Sequence, residues 1–219
     1  MGNKLKKLEY KLAPYAIKNL MTIMIGAMAI VFVADFAVSS SGQGLSLYGW
    51  LMFDREAVMA GQVWRLFTFI FLPPDSSVIF IIFALYLYWL MGSALEREWG
   101  SFYFNLFYLT GIIGALISGL ITGYATNDYL NMSLFLAFAL FYPNFQLYIF
   151  FLIPIKIKWL AWIDVFFIAV EFIFGGWGDR LAIIFSLINV IIFFRRDMVA
   201  ECRRIGMNIK YKWNRWRRM

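Results

Sequence analysis

The sequence predicts an all-α membrane protein, a bundle of six transmembrane helices with short fourth and sixth spans. Three observations predict it. First, the 219 residues are 63% hydrophobic and only 15% charged, with mean hydropathy +0.72; soluble domains carry about 25% charged and about 45–50% apolar residues. Second, the apolar residues fall in runs separated by short polar breaks, which leaves room for one domain. Third, threading those runs as six spans puts 17 of the 20 Lys and Arg residues on one side and only Arg55, Arg65 and Arg180 on the other. That asymmetry follows the positive-inside rule and places both termini in the cytoplasm.

Composition also excludes chemistry. The chain has no His, so the usual general base, commonest metal ligand and physiological pH switch are all missing. A single cysteine, Cys202, allows neither an internal disulfide nor a Cys-based metal site. No cofactor and no metal are therefore expected. The net charge of +7 is concentrated at membrane edges, which fits membrane lipids with anionic headgroups rather than nucleic acid.

Residues 1–18 form a basic cytoplasmic N-terminus, with Lys4, Lys6, Lys7, Lys11 and Lys18. The first apolar run, Asn19 to Val38, has the roughly 20 residues a span needs; the competing reading is a signal peptide. A polar and aromatic connection, residues 39–65, is the first extracytoplasmic loop. Pro73-Pro74 resists helix continuation, so the second span should start near Asp75 or Ser76 as cap and end near Leu95. A charged turn follows at 96–101.

The third span, Phe102 to Tyr124, carries Gly111, Ala115, Gly119 and Gly123 at every fourth position, a small-residue stripe for close helix packing in lipid. Leu130 to Tyr142 is a short fourth span. Phe145 to Ile153 is apolar and reads as an interfacial or tucked segment. Trp159 to Phe174 is the fifth span and holds Asp164 and Glu171. Leu181 to Phe194 is the short sixth, which completes a membrane domain over 19–195. In the tail, 196–219, Met198, Cys202, Ile205, Ile209, Trp213 and Trp216 share one helical face among basic residues. This predicts an amphipathic cytoplasmic helix on the anionic leaflet.

The densest charged break is Gly92-Ser-Ala-Leu-Glu96-Arg-Glu-Trp-Gly100. Its Gly-x3-Glu-x3-Gly spacing suggests a cytoplasmic hairpin, with Gly92 and Gly100 allowing close packing and Glu96 tying helix ends. Together with Gln62-x-Trp64-Arg65-x-x-Thr68-x-x-Phe71 before it and Phe104-x3-Tyr108-x2-Gly111-x2-Gly114 after it, this pattern resembles the rhomboid superfamily. Phe141-Tyr142-Pro143 and Phe151-x-x-Pro154-x-Lys156 extend the likeness, which covers roughly residues 45–195.

The resemblance implies a six-helix intramembrane serine protease fold, with a nucleophile in Gly-x-Ser-Gly on the fourth span. A His on the sixth would be the base, and a His-x3-Asn on the second would support the oxyanion. A serine needs a base to take its proton and the oxyanion needs preorganised donors. Here the corresponding stretch is Asn131-Met132-Ser133-Leu134, so Ser133 is a remnant nucleophile position or a helix N-terminal cap. Phe80 and Ala84 stand at the second-span positions, and Ser186 or a neighbour stands at the sixth-span His. The expectation is a catalytically inactive member, a pseudoprotease.

Such a member, as in derlins and other inactive relatives, would bind transmembrane segments of client proteins in quality control, trafficking or complex regulation, with a membrane-bound AAA protease complex as a further partner. Aromatic second-span residues (Phe80, Phe83, Tyr86, Tyr88, Trp89) and fifth-span residues (Trp159, Trp162, Phe166, Phe167) would face that client. The chain lacks the Gly-x3-Gly of the derlin sixth span. The alternatives are an unconventional protease using Ser133 or Ser186 with Glu171 or Asp164, and a small transporter, channel or scramblase using Glu171, Asp164, Asn105 and Asn189. Structural ion pairs are the blander expectation for the carboxylates: Glu171 with Arg180 or Arg65, and Asp164 with Lys158. Trp64 and Arg65 read as architectural. The organism-level expectation is a bacterial plasma membrane.

Overall fold

The computed structural model describes residues 10–40, 46–74, 77–149 and 153–194. Six apolar helices organise it: α1 (Leu20–Ser40), α2 (Val78–Trp99), α3 (Ser101–Thr122), α4 (Asp128–Phe141), α5 (Ile157–Phe174) and α6 (Trp177–Phe194). Four of them, α1, α2, α3 and α6, are long and apolar enough to cross a membrane. α5 has 18 residues but carries Lys158, Asp164 and Glu171. α4 has 14 residues, about 20 Å of helix against a hydrocarbon core of about 30 Å. It lies at the centre, with Leu134, Ala137 and Phe138 almost fully buried. α2, α3 and α5 pack around it.

The α1–α2 seam follows from helix spacing. Met21, Met24 and Met28 recur at intervals of three and four and are the buried residues of α1. Met28 packs on Ile81 and Leu85 of α2, and Met21 lies against Gly92, where a Cβ would collide with its side chain.

Several sequence expectations are corrected. The charged stretch 96–99 is not a turn: α2 continues through Trp99, because Glu, Arg and Trp sustain a helix, and only Gly100 at φ +80° breaks it. Gly100 therefore supplies backbone conformation rather than close packing, since nothing lies within 4 Å of where its Cβ would be. Gly123 also leaves the packing stripe: it is the left-handed C-cap of α3 at φ +96°. The sixth helix is not short. It starts at Trp177, where Asp179 Oδ2 accepts the Gly176 N–H at 3.0 Å, as a residue at the third helical position does in a capping box. The apolar segment read as interfacial or tucked is not a helical span: β3 (Gln146–Ile149) pairs antiparallel with β4 (Ile153–Lys156), with Gln146 opposite Lys156. The proposed caps Asp75 and Ser76, and the amphipathic tail 196–219, lie outside the described residues.

The first loop is built from short pieces. Helices Leu47–Leu51, Arg55–Met59 and Arg65–Thr68 are joined to the far end of α3 by β1 (Phe53–Asp54) pairing antiparallel with β2 (Tyr124–Ala125). Phe53 is buried there, with Gly119 beneath it: a Cβ on Gly119 would meet Ala125 Cβ at 2.7 Å and Phe53 Cε1 at 2.8 Å.

Candidate functional site

Three structural clusters frame the site. The first is the Trp64-Arg65-x-x-Thr68 stretch. The helix Leu47–Leu51 ends with carbonyls that have no partner of their own within it, and this stretch supplies donors for them in sequence. Arg65 donates to the carbonyls of Gly49 and Met52, both at 2.8 Å, Trp64 Nε1 to Trp50 at 3.2 Å, and Thr68 Oγ1 to Leu51 at 2.7 Å. Arg65 Nε also donates to Gln62 Oε1 at 2.7 Å. The guanidinium is buried; Nη1 serves both carbonyls while Nε serves the Gln62 amide, two donor positions that the single nitrogen of a lysine does not offer.

The second cluster is the junction of α2 and α3. Glu96 Oε1 accepts from the Ser101 hydroxyl at 2.7 Å and from the Asn19 N–H at 2.8 Å. Next to it, Trp99 is a hub that sequence reading missed. Its ring meets Phe107 of α3, Phe141 of α4 and Phe194 of α6 at centroid distances of 5.3, 5.7 and 5.0 Å. Four helices thus converge on one indole, an aromatic clustering worth more than its buried area alone.

The third cluster surrounds the remnant catalytic positions, which divide between two cavities. Ser133 and Ser186 line a cavity of about 370 Å³ between α3, α4 and α6. Phe80 and Ala84 line a separate cleft of about 470 Å³ between α2 and α5. Ser133 is fully buried in the second turn of α4 and is not a helix cap: its hydroxyl donates to the Leu130 carbonyl at 2.7 Å. Ser186 donates to the Tyr129 carbonyl at 2.7 Å. Both hydroxyl protons are thus directed at main-chain oxygens.

The first cavity is acidic. Asp128, Glu171 and Asp179 line it, and the Tyr129 hydroxyl lies 3.0 Å from Glu171 Oε1 and 3.2 Å from Asp179 Oδ1. Burial, with Asp128 and Asp179 nearby, pushes the Tyr124 phenol at its rim up from the ordinary value. Among the described residues no three such acidic side chains converge closely enough to hold a metal ion.

The expected ion pairs are replaced. Glu171 is held by Tyr129, while Arg180 donates to the Ile173 carbonyl at 2.9 Å and lies over the Trp177 ring. Starting α6 at Trp177 places Arg180 in its first turn and Asp179 beside Tyr129, which separates the pair read from sequence. Lys158 lies over Trp159 at 5.4 Å, and Asp164 Oδ2 is buried without a partner.

The small-residue positions on α3 divide by partner. Gly111 faces Leu130 of α4 and Asn189 of α6, and Gly119 faces the β1–β2 ribbon. Ala115 lines the acidic cavity. Asn189 is buried and bridges helices: it accepts from Thr110 Oγ1 at 2.7 Å and donates to the Phe107 carbonyl at 3.1 Å. Asn127 was also missed. It is buried just before α4, and its amide donates to the Leu72 carbonyl at 2.8 Å and the Ile70 carbonyl at 3.2 Å, tying the segment before α2 to the start of α4.

Residues 60–188 match the family described as Rhomboid domain. Rhomboid protease GlpG of Salmonella paratyphi A and of Salmonella typhi are each 32% identical to this chain over 97 residues, 44% of the chain. The chain spans 32% of the length of those relatives. The family match covers more than half of the sequence and takes in the Trp64-Arg65 clamp, the Gly92–Gly100 junction and both cavities. The chain is therefore an integral membrane protein that belongs to the rhomboid family.

Proposed function

We propose that this chain is a rhomboid pseudoprotease: a six-span membrane protein that keeps the scaffold, lacks serine protease chemistry and binds transmembrane segments of client proteins. One observation carries the reading. The hydroxyls of Ser133 and Ser186 donate to backbone carbonyls, and no His exists in the sequence to replace either acceptor with a base. Without a base the serine keeps its proton and stays a weak nucleophile. The second-span positions held by Phe80 and Ala84 offer no side-chain donor to an oxyanion. Of the two candidate carboxylates, Glu171 accepts from the Tyr129 hydroxyl and Asp164 lines the other cleft from Ser133 and Ser186.

Six spans put both termini on the side carrying 17 of the 20 Lys and Arg residues, hence in the cytoplasm. The bacterial relatives favour the plasma membrane. Client binding is supported by the exposed aromatics Phe80 and Phe83 in the lining of the α2–α5 cleft and by the exposed Trp159 and Trp162 of α5. A membrane-bound AAA protease complex would be a natural receiver of clients held this way.

The test is purified full chain in liposomes with a helix-destabilised transmembrane reporter. The expected result is reporter binding without cleavage. Cleavage that disappears in Ser133→Ala would overturn the pseudoprotease reading.

A further inference from the structure

The α2–α5 cleft is walled by Phe80, Phe83 and Leu87 of α2 and floored by Phe135 of α4. Two oxygen acceptors are set into this apolar wall, Asn131 Oδ1 and Asp164 Oδ2. Both atoms are buried and neither has a hydrogen-bond partner. Asn131 is only 4% exposed. Asp128 lines the same cleft. Among the described residues no Lys or Arg lines it.

Buried acceptors left unpaired are costly, and more so where lipid replaces water. Their natural partner comes from outside the chain. A hydroxyl or amide guest would bring its own acceptor along with a donor. A lysine ammonium or arginine guanidinium is all donor and also answers the Asp164 charge. Such a side chain is costly at the centre of a membrane helix when it has no partner, so it gains most from this cleft.

We infer that the α2–α5 cleft takes a transmembrane helix of another protein by a basic side chain, which docks between Asp164 and Asn131. This rests on the client-binding reading above and names the class of client. Asp164 is seven residues into α5, about 10 Å along the helix, so the guest carries its Lys or Arg at that depth.

The experiment uses the full chain in vesicles of neutral phosphatidylcholine and fluorescent single-span Leu/Ala peptides, with one Lys or one Met at the matching depth. The Lys peptide binds about tenfold more tightly, and Asp164→Asn removes the preference. Asp164→Lys transfers it to a peptide with Asp at that position, which also shows that the altered protein is folded. A Lys preference that persists in Asp164→Asn would overturn the inference. Equal binding of both peptides by the unaltered chain would overturn it while leaving client binding standing. Binding of neither peptide would overturn both.

Discussion

The Glu96 carboxylate accepts the backbone N–H of Asn19 at 2.8 Å, across 77 positions of sequence. Asn19 stands at φ +54°, immediately before α1, so its N–H cannot find a partner within that helix. The same oxygen accepts from Ser101 at the start of α3. One carboxylate therefore joins the ends of three helices, and it is 9% exposed. Glu96→Ala leaves a main-chain donor and a hydroxyl unpaired and should cost about 1–3 kcal/mol, read as a lower melting temperature in detergent. Glu96→Gln keeps the acceptor without the charge and should lie between the two.

Arg65 makes a sharper prediction. It holds two carbonyls and one amide oxygen from a buried position, so Arg65→Ala should destabilise by about 2–4 kcal/mol. Arg65→Lys should recover less than half of the loss, because one ammonium nitrogen cannot stand at both Nη1, which serves Gly49 and Met52, and Nε, which serves Gln62. Limited proteolysis would locate the effect, with cleavage appearing first in the loop 46–64. Full rescue by lysine would reduce the clamp to simple charge.

The helices were legible because each is an apolar run bounded by polar residues, and that signal survives without tertiary information. Their ends were less legible. Nothing in Glu96-Arg97-Glu98-Trp99 stops a helix, and the stop depends on a positive φ at Gly100. The start of α6 depends on Asp179 reaching back to Gly176, and the Glu171–Arg180 expectation failed with it. The α3 stripe was read at period four, whereas a helix turns every 3.6 residues. Each step of four drifts by about 40°, so Gly111 and Gly119 meet different neighbours and Gly123 ends the helix. Asn131, read only as a lost glycine, became part of a cleft because α2 and α5 both pack on α4. No local pattern encodes that arrangement.

Two glycines on the α1–α2 pair separate packing from propensity. A Cβ at Gly92 would collide with Met21, near its helix-bound end rather than at its flexible tip. Gly92→Ala should push α1 off α2 and destabilise by about 1–3 kcal/mol. Gly26, inside α1, has nothing within 4 Å of a new Cβ, so Gly26→Ala should be neutral or stabilise by up to about 1 kcal/mol. Thermal melts of both variants in the same detergent check the ranking. Equal effects would mean that the α1–α2 seam is looser than the Met21–Gly92 contact implies.

Asn189 tests how much a polar bridge contributes inside this bundle. It links α6 to α3 through Thr110 and the Phe107 carbonyl, and it lies against Gly111. Hydrogen bonds between membrane helices average about 0.6 kcal/mol and reach about 1.7. Asn189→Leu removes both bonds and adds branched bulk against Gly111, so it should cost more than that range. Asn189→Ala removes the bonds without the bulk and should cost about 1–2 kcal/mol. Thr110→Val deletes one bond at nearly constant shape and should cost under about 1 kcal/mol. In the double variant Thr110→Val with Asn189→Ala, the two losses should sum to more than the measured total, because the shared bond is counted once in each single variant. Strict additivity, measured by denaturant unfolding in mixed micelles, would show that Thr110 and Asn189 act independently despite the 2.7 Å between them.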